Sequence, residues 1–277
     1  MYVEIARGTP ANRGMLIPFK DLSRYLSKDE PLYRSVYLYG DDAKEYVDTT
    51  GSLKNFFGQR FIDKIPIDID KSDNSDEKTL DMLRSIIVEL KGGEIGSNCF
   101  QSFFSGSGYH LMLSGKLFNF KSSPDLPYIV KQTLKDLFPE IDLSIYMRTG
   151  IYRVQHTPNQ KTNLFKIPLT EREVMNLRPS EILELAKTQR LDFNYHTLVG
   201  NGELEHKVIT EVPDIQVFNR VSEPNNIVPC VQSMLNKGPV TGNRHVTAMR
   251  IASHFKRHGI PSHYAKVSML HWNNKSM

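Results

Sequence analysis

The sequence predicts an α+β protein, a body of mixed sheet and helix followed by a small helical module, and three observations predict it. Short runs alternate apolar and polar residues with the period of two that a strand requires, as in Ile65–Asp70 (IPIDID). Longer runs between them repeat apolar residues at steps of three and four, the spacing of an amphipathic helix. From Pro224 to Met277 the chain has no Asp or Glu and reads as helical, while Lys237, Arg244, Arg250, Lys256, Arg257, Lys266 and Lys275 give it +7. The net charge of +4 over 277 residues leaves −3 for everything before that stretch. A chain of this length suits one large domain with an appendage.

In chain order, Arg34–Tyr39 (RSVYLY) is rich in β-branched and aromatic residues and reads as a strand. In Ile65–Asp70 the three isoleucines share one face, and Asp68 and Asp70 share the other. After the turn-forming KSDNSD, a helix is expected from Glu77 to Lys91, with Leu80, Leu83, Ile87 and Leu90 on one side and Gly92 as its stop. Cys99–Phe104 and Tyr109–Ser114 read as strands joined by a tight turn at Ser105–Gly108. Ile129, Val130, Leu134 and Leu137 define a helix over about Leu126–Phe138. Strands are expected at Ile141–Met147, Ile151–His156 and Leu164–Pro168, and Thr170 with Glu173 fits a capping box.

The body is expected to span residues 1–212. Residues 213–229, with Pro213, Pro224, Asn225, Asn226 and Pro229, read as a linker, and 230–277 as a basic helical domain. There Asn243 is expected to cap a helix that runs to His258 and is closed by Gly259. Val246, Met249, Ala252 and Phe255 are expected inward, with Arg250, His254 and Arg257 on the opposite face.

Composition narrows the function classes. With 39% hydrophobic and 24% charged residues, the chain is neither disordered nor membrane-like. No apolar run approaches the roughly 20 residues that span a bilayer, so no membrane partner is expected. The opening MYVEIARGTPANRG lacks the basic-then-apolar order of a secretory signal. Cys99 and Cys230 lie far apart, and neither belongs to a C-x-x-C pair. Neither a disulfide framework nor a zinc site is therefore expected, and a reducing cytoplasm suits the chain. The acid-free tail also holds five of the nine histidines (His245, His254, His258, His263 and His271), which suggests contact with a polyanion.

Four constellations point to chemistry. Asp68 and Asp70 set two hard oxygen donors on one sheet face, about 7 Å apart along the strand, and such donors can bracket divalent cations. Alone, that pair is more often a half-buried strand with solvated acids. Ser105-Gly-Ser-Gly-Tyr-His110 combines glycines that let a backbone approach a ligand with Ser105 and Ser107 hydroxyls and the N–H groups around Gly108, all suited to phosphate oxygens. His110 points away from the apolar alternation of Tyr109, Leu111 and Leu113 and can donate to a triphosphate. Asp142 points away from Ile141, Leu143 and Ile145 and can supply a third carboxylate, with Glu140 as the competing candidate. Arg153, Lys161 and Lys166 surround a turn and can neutralise triphosphate or template phosphate. Two-metal nucleotidyl transfer needs such a set: carboxylates that hold two cations about 3.5–4 Å apart, and cationic donors for the departing pyrophosphate.

In this order the residues resemble the motifs of the archaeo-eukaryotic primase superfamily. Asp68-Ile-Asp70 is similar to its first motif, a strand ending in two metal-binding aspartates. Ser105-Gly-Ser-Gly-Tyr-His110 is similar to the second, whose histidine contacts the incoming nucleotide's phosphates. Asp142 matches the third-motif acid, and Lys161-Thr-Asn163 resembles a Lys-Thr-Gly segment near the end of the catalytic core. The likeness runs from about Tyr33 to Leu169. It departs at Asn163, where glycine is common, and in lacking the zinc-binding stem of many cellular primases, which points to a phage, plasmid or other mobile-element primase-polymerase. Gly242-Asn-Arg244-His245, His258-Gly259-Ile-Pro and His271-Trp272-Asn273 resemble the small helical domain that follows such cores.

The resemblance implies a primase-like catalytic core, an RRM-like sheet unit plus an N-terminal α/β unit, followed by a helical domain. It implies Mg²⁺ or Mn²⁺ on Asp68, Asp70 and Asp142, and an NTP or dNTP held by Ser105, Ser107, Gly108, His110, Arg153, Lys161 and Lys166. Single-stranded DNA template would meet Arg244, Arg250, Lys256 and Arg257. The activity implied is DNA primase and polymerase chemistry in the cytoplasm of a bacterial or archaeal host, associated with the nucleoid. A helicase often follows this region in the family, so a helicase is an expected partner, beyond residue 277 or in trans. Because the sequence stops soon after Trp272, it is expected to be the front of a longer protein.

Two rival readings stand beside this one. A D-x-D glycosyltransferase also uses an acid pair and a metal, but it gives no reason for the acid-free tail. A non-catalytic replication initiator accounts for the tail and leaves the acids unexplained. Release of pyrophosphate, rather than nucleoside diphosphate, separates the first, and metal-dependent dNTP incorporation eliminates the second.

Overall fold

A computed structural model describes residues 1–71, 74–139, 141–209, 228–240, 242–260 and 262–274. The chain divides into two compact units, Met1–Glu211 and Val212–Met277. In the first, the strands are β1 (Tyr2–Arg7), β2 (Met15–Pro18), β3 (Leu32–Ser35), β4 (Leu38–Tyr39), β5 (Arg60–Phe61), β6 (Lys64–Ile69), β7 (Phe100–Phe104), β8 (Tyr109–Ser114), β9 (Ile151–Arg153) and β10 (Ile167–Leu169). The helices are α1 (Asp41–Thr50), α2 (Asp76–Gly92), α3 (Leu126–Leu137), α4 (Glu171–Asn176) and α5 (Pro179–Leu185). This is a mixed α+β unit with antiparallel sheets.

One sheet has the order β5-β4-β1-β3-β9, with β2 also on β1, and the other the order β10-β7-β8-β6. In the second sheet β8 lies antiparallel between β6 and β7, which makes those two parallel to each other. The chain passes from β6 to β7 through α2, forming a split β-α-β unit. β10 joins the β7 edge, so the outer edge of β6 is left to the segment around Asp142, which it meets at the bridge Asp68↔Asp142.

Strict alternation builds this sheet as the sequence predicts. Ile65, Ile67 and Ile69 are at most 1% exposed and share a core with Leu80, Leu83 and Ile87 of α2. Removing each such side chain from water contributes roughly 1.5–3 kcal/mol. Ser75 caps α2, its Oγ accepting the Lys78 N–H at 3.2 Å, and Thr170 and Glu173 make the expected reciprocal cap on α4.

Several expected strands are shorter, each for a local reason. Arg34–Tyr39 breaks into β3 and β4 because Ser35 Oγ turns onto the chain, donating to the Tyr37 carbonyl at 2.6 Å and accepting the Glu4 N–H. Cys99 belongs to a short 3₁₀ turn that precedes β7. Ile151–His156 ends at Arg153, since His156 takes a left-handed conformation with φ +64°. Leu164–Pro168 starts as a strand only at Ile167, because the Phe165 N–H is given to Ala186. Ile141–Met147 is turn rather than strand: Asp142 accepts the N–H and hydroxyl of Ser144, both at 2.7 Å, and this side-chain turn displaces a ladder.

The second unit is helical: α6 (Pro229–Lys237), α7 (Arg244–Arg257) and α8 (Ser262–Asn274). Its core is Val231, Ile251, Phe255 and Trp272, whose indole N–H donates to the Met234 carbonyl at 2.9 Å. Pro229, read as linker, opens α6 instead, where a missing N–H costs nothing. Most of the expected linker, residues 213–227, lies outside the described residues. The inward face of α7 also differs. Val246 and Met249 are about half exposed and Ala252 is exposed, whereas Ala248, Ile251 and Phe255 pack inward and His254 is buried. Steps of three alone drift around a helix; the 248-251-255 steps of three and four follow one face. Asn243 caps α7 without a side-chain hydrogen bond. Among the described residues no helix is long and apolar enough to cross a membrane.

Candidate metal centre

β6 delivers Asp68 half-buried and releases Asp70, exposed, just past its last residue. Asp142 arrives from the other side on its turn. The buried Tyr146 hydroxyl, donating to the Pro66 carbonyl at 2.6 Å, ties that segment to β6. One carboxylate oxygen from each of Asp68, Asp70 and Asp142 lies within 4.8 Å of the others. Glu140, the competing acid, lies outside the described residues.

This donor set fits a hard divalent cation. Oxygens bound to one Mg²⁺ at about 2.1 Å stand roughly 3–4.2 Å apart, so small side-chain rotations would close the cluster on an ion. Asp68 Oδ1 is buried without a hydrogen-bond partner. His110 Nε2 stands 3.2 Å from it, a contact that is an ion pair only when the imidazole is protonated.

The electrostatics divide the acids. Burial pushes the Asp68 carboxyl up, but His110, Lys166 and Arg153 outweigh it and hold the group below the ordinary aspartate range. Asp70 is pushed up by burial and by the charges of Asp68 and Asp142, against a smaller opposing pull from Lys161. A carboxyl raised on folding stabilises most below its unfolded value, and that contribution is lost as pH rises through the folded value. At neutral pH, Asp70 therefore strains the metal-free protein. Asp70→Asn is expected to raise the metal-free melting temperature at pH 7. Saturating Mn²⁺ is expected to raise the wild type by about 5–10 °C and Asp70→Asn by far less. Differential scanning fluorimetry with and without the ion reads both shifts.

His110 sits opposite Asp68 in the β6–β8 register and is buried. Burial, then the Lys166 charge, lower its imidazole against the pull of Asp68. Lys166 Nζ lies 2.7 Å from His110 Nδ1 and donates to the Arg153 carbonyl at 2.8 Å. With Nδ1 accepting from the amine, the ring proton falls on Nε2, facing Asp68. Lys166 itself is 1% exposed, and burial followed by the Arg153 charge drives it well below the usual lysine range. It cannot reach a phosphate directly, contrary to the expectation from sequence, and acts instead on His110.

The remaining predicted residues divide in the same way. The Arg153 guanidinium donates to the Ser105 carbonyl, and its Nη1 is buried and unpartnered. Ser105 is buried and accepts the Gly108 N–H within the hairpin turn, so its hydroxyl is used structurally, while Ser107 is exposed at the tip. Lys161 is exposed in the following turn. Asn163 there has φ +58°, the conformation that favours glycine and tolerates asparagine, which explains the departure from Lys-Thr-Gly.

Gly108 packs tightly on β6, where a Cβ would stand 2.5 Å from the Ile69 carbonyl oxygen, and its N–H is given to Ser105 Oγ. Gly108→Ala is expected to destabilise the protein by about 1–3 kcal/mol, read by urea unfolding.

Arg244, Arg250, Lys256 and Arg257 all lie on α7 of the second unit. Arg244 is tied to Asn273 Oδ1 at 2.9 Å, and the other three are exposed. Sequence reasoning missed the clamp of Ser144 and Tyr146. An Asp-x-Ser triplet, which favours a local turn, was the available signal.

No family model matches the chain, and no curated protein matches it.

Proposed function

We propose that the first unit is a metal-dependent nucleotidyltransferase of the primase-polymerase type that extends a nucleic-acid chain on a single-stranded template. The observation that carries this reading is the convergence of Asp68, Asp70 and Asp142 on one point beside His110. The Arg153 and Lys166 charges are felt at Asp68 and hold its carboxyl down. A glycosyltransferase reading has no comparable support from the basic tail.

Divalent ions held by the three aspartates would neutralise triphosphate charge and activate the attacking 3′-hydroxyl. The chain's own residues do the rest. Exposed Lys161 adds charge where pyrophosphate departs, and buried Arg153 adds its positive field at Asp68. His110, fixed in one tautomer by Lys166, orients Asp68 and offers Nε2–H on the same side. The core would be primase-like, and α7 would supply template contacts through Arg250, Lys256 and Arg257. The host setting, a cytoplasmic mobile-element replication system with a helicase partner, belongs to the same proposal.

The test is incorporation of labelled NTP or dNTP by the full chain on primed and unprimed single-stranded DNA, with Mg²⁺ and Mn²⁺ compared. Template-directed products with stoichiometric pyrophosphate support the proposal. DNA binding without incorporation under either ion would favour an initiator, and nucleoside diphosphate release from a nucleotide sugar would favour a glycosyltransferase.

A further inference from the structure

A second candidate site lies in the first unit and shares no lining residue with the three acids. A cavity of about 670 Å³ is lined by Arg13, Lys54, Asn55, Arg60, Arg148 and Glu4, among others. Its one acid is already satisfied: Glu4 is buried, paired with Arg13, and accepts the Gly14 N–H at 3.1 Å. Asp125 stands 3.6 Å from Arg148, a half-exposed contact of little strength. The cleft is therefore strongly positive.

Its rim is rigid and carries an aromatic. Buried Arg60 donates to the carbonyls of Phe56 and Gly58, both at 2.9 Å, and Tyr46 donates to Lys54 O at 2.8 Å, so the 54–58 loop is held in one shape. That shape leaves Phe57 62% exposed, with the Arg148 guanidinium 4.3 Å from its ring centre. A fixed aromatic face beside clustered cations is the combination that binds single strands, bases on the ring and phosphates on the charges. Arg148 follows Asp142 by six residues, so its Cα lies within about 21 Å of the acid site.

We infer that this cleft holds single-stranded nucleic acid, with the exposed Phe57 ring stacking a base and Lys54 and Arg148 meeting phosphates. The inference rests on the polymerase reading only in calling that strand the template.

The test measures affinity of the full chain for fluorescein-labelled oligo(dT) by anisotropy across a salt series, for wild type, Phe57→Ala and Lys54→Ala/Arg148→Ala. Phe57→Ala is expected to weaken binding about fivefold or more. The double variant is expected to reduce the slope of log affinity against log salt by about 1.4, the share of two phosphates on a single strand. Circular dichroism checks folding; should the double variant misfold, Phe57→Ala and Lys54→Ala, both at exposed positions, carry the test. Wild-type affinity in the variants would overturn the inference. So would a double variant that loses inorganic triphosphate while Phe57→Ala keeps its oligo(dT) affinity, since that describes a plain anion site. Mn²⁺ binding, followed by electron paramagnetic resonance, and nucleotide incorporation report on the acid site separately. Variants that lose oligo(dT) in a protein that never incorporates nucleotide would retain the cleft and remove the polymerase.

Discussion

Asp70→Ala is expected to reduce nucleotide incorporation about a thousandfold or more, equivalent to about 4 kcal/mol of barrier, while oligonucleotide affinity stays within about twofold. The carboxylate is exposed and close to Asp68 and Asp142, so its removal leaves the core untouched and relieves like-charge repulsion. The loss is therefore chemical rather than structural, and the variant should be at least as stable as the wild type without metal. Single-turnover primer extension with Mg²⁺ and Mn²⁺ measures it. A variant that elongates at the normal rate would show that the three acids do not hold the reacting ions.

The second large effect is expected at a residue that touches no substrate. Lys166→Met keeps the volume of a buried side chain but removes the amine that holds His110 Nδ1 and the Arg153 carbonyl. Groups that orient a site from behind are worth about 10- to 100-fold in activity or metal affinity, and a loss in that range is expected here. Stability should fall by about 1–3 kcal/mol, because His110 Nδ1 and the Arg153 carbonyl are left buried without their donor, and circular dichroism checks that the variant is folded. The discriminating measurement is a double-mutant cycle with His110→Ala. If Lys166 acts through His110, the double variant should be scarcely worse than His110→Ala alone. Additive losses would show that the lysine acts by another route.

The legible parts of this molecule are those governed by periodicity. Ile65, Ile67 and Ile69 declare one face of β6, so Asp68 must take the other, and the α2 stripe follows from the same arithmetic. Where the sequence misleads, a polar side chain competes with the ladder or a tertiary contact decides. Ser144 folds the Asp142 segment into a turn although Ile141, Leu143 and Ile145 alternate as a strand would. Lys166 reads as a surface cation because burial among Phe103, Tyr152 and His110 depends on strands far apart in the chain. On α7 the steps of three through Val246, Met249 and Ala252 compete with the 248-251-255 stripe, and the packing against α6 and α8 selects the latter. The basic cleft has no sequence signature: Arg13, Lys54 and Arg148 come from three separate segments.

The Tyr146–Pro66 bond has a bearing on synthesis, since it joins positions 80 residues apart. A chain still emerging from the ribosome has β6 and its two aspartates long before the segment that brings the third. Closing so long a loop comes late, once the intervening strands have organised it. The grouping of all three acids therefore waits on the chain through Tyr146, and a chain that ends before it carries Asp68 and Asp70 without their third partner.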